Sequence, residues 1–144
     1  MSKRTKGIIG ICYVTLFVYL LYFAPFRSDT STAVNLVPFK SISKDLYYVF
    51  IHGSSWEFIF FLCVGFFGKL FLLAPIPYFF DLNIKGYKKW LLVILTPIAI
   101  ELFQFLLQAG SADIDDVFLN ALGFYLGFEL MKKTRTKRSL PRSE

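Results

Sequence analysis

Residues Asp113-Ile114-Asp115-Asp116-Val117-Phe118-Leu119-Asn120-Ala121-Leu122-Gly123-Phe124-Tyr125-Leu126-Gly127 set three carboxylates and an amide at the opening of an apolar segment. At about 100° per residue, Asp113, Asp116, Asn120, Gly123 and Gly127 fall within one arc of a helix. Large apolar residues fill most other positions, as on a surface that faces lipid. Polar groups on one face of a membrane helix turn inward, toward protein or water. Two glycines four residues apart let a neighbouring backbone come close. The stretch therefore predicts a membrane helix with a polar site near one membrane surface and a tight helix crossing beneath it.

The rest of the chain suits the same solvent. Its 144 residues are 56% hydrophobic and include 18 Phe, with a mean hydropathy of +0.55. These values belong to the membrane class, and the length to one domain over 1–144. Residues 7–26 run without a charge for long enough to cross a bilayer core at about 1.5 Å per residue. Apolar stretches follow at 56–80, 90–108 and 117–131, the last short unless its helix begins at Asp113. The expected fold is an all-α integral membrane bundle of four transmembrane helices.

A net charge of +6 would suit a nucleic-acid partner, but its distribution points to topology instead. Lys3, Arg4 and Lys6 precede the first span; Lys85, Lys88 and Lys89 lie between spans two and three. Lys132, Lys133, Arg135, Lys137, Arg138 and Arg142 follow span four. The other two connections carry only Arg27, Lys40 and Lys44. The positive-inside rule then places both termini and the 81–89 loop in the cytoplasm, with 27–55 and 109–112 outside. The basic tail, 132–144, anchors that topology and lies along anionic headgroups. The expected location is the bacterial cytoplasmic membrane, multi-pass, with the bilayer as first partner and no nucleic acid.

The first apolar run exceeds the usual signal-peptide core of about 7–15 residues, so it reads as an uncleaved helix. Cys12 and Cys63 fall near opposite membrane surfaces and are expected as free thiols. His52 is the single histidine, which excludes a zinc site built on several His or Cys ligands. No cofactor and no metal is expected.

In the outer loop, Asn35-Leu36-Val37-Pro38-Phe39-Lys40-Ser41-Ile42 is apolar yet outside a span. Pro38 holds Val37 extended, and Leu36, Phe39 and Ile42 are placed to dip into the interface. Residues 44–51 predict an interfacial helix with Tyr and Phe at headgroup level. Span two opens at Trp56 and carries Glu57 at its outer edge. Lys69 lies about 18 Å deeper and is expected to snorkel to the inner headgroups, with pairing to Glu101 as the other reading. Span three places Pro97, Glu101, Gln104 and Gln108 on one face, with Glu101 about 12 Å below the outer surface. The tight 109–112 turn makes spans three and four antiparallel neighbours. Glu57, Glu101, Gln104, Asp113, Asp115, Asp116 and Asn120 then form a candidate polar groove, with Gly123 and Gly127 as the packing pair.

Asn35, Pro38 and Phe39 in the outer loop, the Glu101…Gln104 face, and Asp113-Ile114-Asp115-Asp116…Asn120…Gly123…Gly127 together resemble the VanZ-like family, over about 35–127. Two departures stand out. Glu57 replaces the Asn that usually opens span two, and Cys63 replaces the Pro ahead of its glycine, here Gly65. The resemblance implies an envelope membrane protein associated with low-level resistance to teicoplanin-type glycopeptides, and no particular reaction.

The acid cluster itself admits four readings. Asp113 at an N-cap with Asp116 three residues on mimics a capping box. The stripe also suits a groove open to the outer leaflet, for a cationic or hydroxyl-rich envelope group or for the glycopeptide. Carboxylates and amides suit a divalent cation serving lipid-pyrophosphate chemistry, although no EF-hand spacing is present. Paired carboxylates also suit an acid–base enzyme acting on a lipid-linked substrate. No motif joins Ser111 and His52 as nucleophile and base. The expectation is a VanZ-like protein that modulates glycopeptide susceptibility or the handling of lipid-linked or glycan surface precursors. A membrane-embedded enzyme is the alternative.

Overall fold

The structure is a computed structural model that describes residues 2–22, 34–52, 56 and 66–139. It is predominantly helical. In chain order the elements are α1 (Lys3–Tyr22), β1 (Val34–Asn35), α2 (Lys40–His52), α3 (over 66–72), α4 (Ile76–Phe79), α5 (Tyr87–Leu106), β2 (Ala112–Asp113) and α6 (Ile114–Ser139). Where an all-α chain was expected, a two-residue parallel bridge pairs Val34 with Ala112 and Asn35 with Asp113.

Local chemistry sets the helix ends. Ser2 caps α1, its Oγ accepting the Thr5 N–H at 3.1 Å. Pro75 ends α3, because it has no N–H to offer the Phe71 carbonyl. The Ile76 N–H goes to Leu73 rather than Leu72. The two stranded carbonyls are met from α1: the Tyr13 hydroxyl donates to Leu72 at 2.7 Å and to Phe71 at 3.4 Å. Helix α5 closes with paired bonds from Ala109 N to Gln104 O and from Gln108 N to Phe105 O. This Schellman closure puts Gln108 in the left-handed region, φ 53°. Gln108 is thereby exposed and leaves the face that Pro97, Glu101 and Gln104 share, contrary to expectation.

Helix α6 packs chiefly on α5 and α4, and α1 on α4. Phe17, Leu73, Val93, Phe124, Phe128 and Met131 form the core. The crossing of α6 over 70–74 is very close. A Cβ on Gly123 would stand 1.7 Å from the Leu70 carbonyl oxygen, and one on Gly127 would stand 2.1 Å from that of Ala74.

Helix α5 is apolar on the outside. It buries Val93, Pro97, Glu101 and Gln104, while Leu91, Ile94, Leu95, Ile98, Leu102, Phe103 and Leu106 are exposed. Water would reward the reverse arrangement; hydrocarbon rewards this one. Among the described residues, α5 is the one helix long and apolar enough to cross a membrane. Residues 57–65, which complete the second apolar stretch, lie outside the described residues, and with them Glu57, Cys63 and Gly65.

The two ends of the molecule differ in charge. At one end Asp81 meets Lys6 at 3.4 Å and Arg135 at 3.3 Å, and Lys89 meets Glu129 at 2.9 Å. The basic start of α1, the 81–89 connection and the basic end of α6 therefore gather together. Lys6 is buried there, its ammonium 4.2 Å from the Tyr78 ring. The β1–β2 bridge, the start of α2 and the three aspartates occupy the other end.

Candidate polar site

The site is assembled by the start of α6. Asp113 caps that helix, its Oδ1 accepting the Asp115 N–H at 2.9 Å. The return half of a capping box is not made. The Asp113 N–H points instead to Glu101 Oε2 at 3.4 Å, and Asp116 is engaged elsewhere. Asp113 also accepts Asn35 Nδ2 at 3.3 Å on both oxygens, and the Ser41 hydroxyl on Oδ2.

Asp115 lies off the Asp113–Asp116–Asn120 stripe and is 1% exposed. It does not serve its own helix. Its Oδ1 accepts the Phe39 N–H at 2.6 Å, and its Oδ2 those of Ser41 at 3.0 Å and Ile42 at 3.3 Å. These N–H groups belong to the residue before α2 and to its first turn, which has no intrahelical partners for them. Asp115 thus caps α2 from another helix, and its charge suits that helix's positive end. The interfacial helix expected over 44–51 accordingly starts at Lys40. Between Asn35 and α2 the chain turns through Pro38 and Phe39, with Phe39 at φ 62°. A bulky side chain rarely adopts that conformation, and the Asp115 bond holds it there. Leu36 and Phe39 remain exposed on the outside of the turn.

Asp116 takes a third direction. Lys69 on α3 donates to its Oδ1 at 2.5 Å, with the lysine side chain 43% and the aspartate 16% exposed. Lys69 was expected to extend toward the inner headgroups or to meet Glu101; it pairs with Asp116 instead. Asp116 stands about two turns above the Gly123 crossing, and that crossing carries α3 past α6 with Lys69 beside Leu70. The ammonium is therefore within reach of the carboxylate without spanning a membrane half.

Below this pair the stripe becomes buried. Glu101 is 5%, Gln104 3% and Asn120 3% exposed. Asn120 Oδ1 has no hydrogen-bond partner among the described residues. A buried amide oxygen without a donor is uncommon, since it forfeits its hydration for nothing. The position suits a donor carried by a ligand or water. No group of three or more His, Cys, Asp or Glu among the described residues is arranged to hold a metal. The Asp113 and Asp115 oxygens already receive N–H and O–H donors from Asn35, Ser41, Phe39 and Ile42.

Two halves of the chain thus form one polar knot: Asn35, Phe39 and Ser41 on one side, Asp113 and Asp115 on the other. A family model described as VanZ/LLP1 matches residues 9–135, which contain both halves, the buried stripe and the glycine crossing. The chain belongs to the VanZ/LLP1 family. No curated protein and no solved structure matches it.

Within this VanZ/LLP1 chain the predicted residues sort by partner. Asn35, Phe39, Asp113 and Asp115 bind the 35–42 segment to α6. Pro38 shapes the turn without a hydrogen bond of its own. Glu101 and Gln104 are buried on α5, with Glu101 reaching the Asp113 N–H; Asp116 faces Lys69 on α3, Asn120 is buried one turn along α6, and Glu57 falls outside the described residues. One participant, Ser41, was missed, and another, Lys69, was given a different partner. Ser41 donates to Asp113 and offers its N–H to Asp115, yet a serine after Lys40 carries no distinguishing signal. Lys69 did carry one, because a lone cation in an apolar span calls for a counter-ion.

Proposed function

We propose that this VanZ/LLP1 protein sits in the bacterial cytoplasmic membrane as four spans with both termini inside. There it modulates susceptibility to teicoplanin-type glycopeptides, or the handling of surface precursors, by holding a polar envelope group in a groove open to the outer leaflet. The observation that carries this reading is Asn120, a buried acceptor without a donor among the described residues, one helical turn from the Lys69–Asp116 pair. Asp113 and Asp115 hold the entrance; Asp116, Lys69 and Asn120 offer an anion, a cation and an amide to a ligand rich in hydroxyl or ammonium groups. The basic end, gathered opposite this site, supports a cytoplasmic position for both termini.

The test is a susceptibility assay in a glycopeptide-sensitive Gram-positive host. Expression of the wild-type chain raises the inhibitory concentration of a teicoplanin-type glycopeptide. Glu101→Gln and Asn120→Leu, inserted at wild-type levels, abolish that rise. Full activity in both variants overturns the reading.

A further inference from the structure

The basic end holds a cavity of about 610 Å³ between the 83–86 turn, the first turn of α5 and the last turns of α6. Its size is that of a small-molecule site. Lys85, Lys89, Lys132 and Arg135 line it, with Glu129 as the one carboxylate. Half-buried Ile84 supplies the apolar side of its mouth, and the core residues Phe128 and Met131 close its floor.

The four cations are not equally committed. Lys89 is engaged by Glu129 and by the stacked Trp90 and Tyr125 rings, 4.9 and 4.7 Å from its ammonium. Arg135 reaches Asp81. Lys85 and Lys132 make no ion pair with a described residue and are exposed. The cavity therefore keeps an excess of positive charge that the protein itself does not neutralise. No side chain caps α5, whose N-cap is Gly86 at φ 63°, and Gly86 lines the cavity as well. The uncapped end of a helix adds N–H donors for an anion.

We propose that this cavity is a phosphate-ester site and that it takes the headgroup of an anionic phospholipid. Lys85 and Lys132 face the phosphate, and Ile84 with the aliphatic stems of the lysines packs against the glycerol and first acyl carbons. Ile84 and the lysine stems favour a lipid over a free phosphate ester, which has nothing to bury there. Assignment to the inner leaflet rests on the proposed topology; binding at this cavity does not.

The test uses the full chain in nanodiscs of phosphatidylcholine, titrated with short-chain phosphatidylglycerol and, separately, with glycerol phosphate. Lys85→Gln/Lys132→Gln is compared with Lys88→Gln/Lys133→Gln, which removes the same charge from positions that do not line the cavity. Each lysine near a charged lipid contributes enough that losing both weakens phosphatidylglycerol binding by roughly tenfold or more. Lys88 and Lys133 do not line the cavity, so the control pair stays within about twofold of wild type, and glycerol phosphate binds far more weakly than the lipid. Equal losses in the two double variants reduce the effect to general surface charge and overturn the site. Equal affinity for glycerol phosphate overturns the lipid assignment, and no saturable binding of either probe overturns the whole proposal.

Discussion

Asp115 on α6 accepts the backbone N–H of Phe39 at 2.6 Å, across 76 positions of sequence. That bond, with those from Ser41 and Ile42, makes one buried carboxylate the cap of a distant helix. Asparagine at this position keeps one acceptor and turns an amide donor toward N–H groups. Asp115→Asn therefore lowers stability by about 2 kcal/mol, the scale of a hydrogen bond to a charged group. Melting in detergent reads the loss, and limited proteolysis should locate new cleavage between Asn35 and His52. Wild-type melting would remove the capping role.

The Gly123–Leu70 approach leaves no room for a methyl group. Gly123→Ala is expected to cost at least about 1–3 kcal/mol, because backbone rather than a flexible side chain must move. Phe118→Ala, at an exposed position, serves as the comparison and stays near wild type. Equal melting of the two would mean that the crossing is looser than described.

These glycines were legible because a four-residue spacing on one stripe is a local pattern. So were the Asp113 cap and the α5–α6 hairpin, each fixed by a handful of neighbouring residues. The partner of Asp115 was not legible. A carboxylate in the first turn of α6 fits its own helix dipole equally well, and only the β1–β2 bridge brings Phe39 and Ser41 against it. Lys69 was ambiguous for a different reason: its flexible stem can reach toward either membrane surface, and tertiary contact with Asp116 decides the direction. Gln108 matched the helical face by spacing, but the Schellman closure ended α5 before reaching it.

Gln108 closes α5 at φ 53° without being glycine. A side chain in that region costs roughly 1–2 kcal/mol, part of which glycine gives back in chain entropy. Gln108→Gly is expected to stabilise the protein by about 0.5–1 kcal/mol in a denaturation series. A lower stability would assign Gln108 a side-chain contact that the turn does not show.

At the basic end, burial opposes ionisation of Asp81, but Arg135 and Lys6 outweigh it and hold its pKa below the ordinary 3.8. A depressed carboxyl stabilises the fold fully above the unfolded value and loses that contribution as pH falls through the folded one. Wild-type melting should therefore drop faster than that of Asp81→Asn below about pH 4. The two curves should run parallel above about pH 5. Identical acid limbs would show the contacts to be too solvent-screened to matter.

The central claim divides the aspartates: Asp113 and Asp115 hold the loop, and Asp116 serves the groove. The most direct measurement is glycopeptide susceptibility of cells carrying Asp116→Asn, with protein level and melting temperature recorded on the same variant. Lys69 is solvated enough to tolerate the loss of its partner. The account predicts a protein that inserts at normal levels, melts within a few degrees of wild type and gives no protection. A folded Asp116→Asn protein that protects as well as wild type would contradict it.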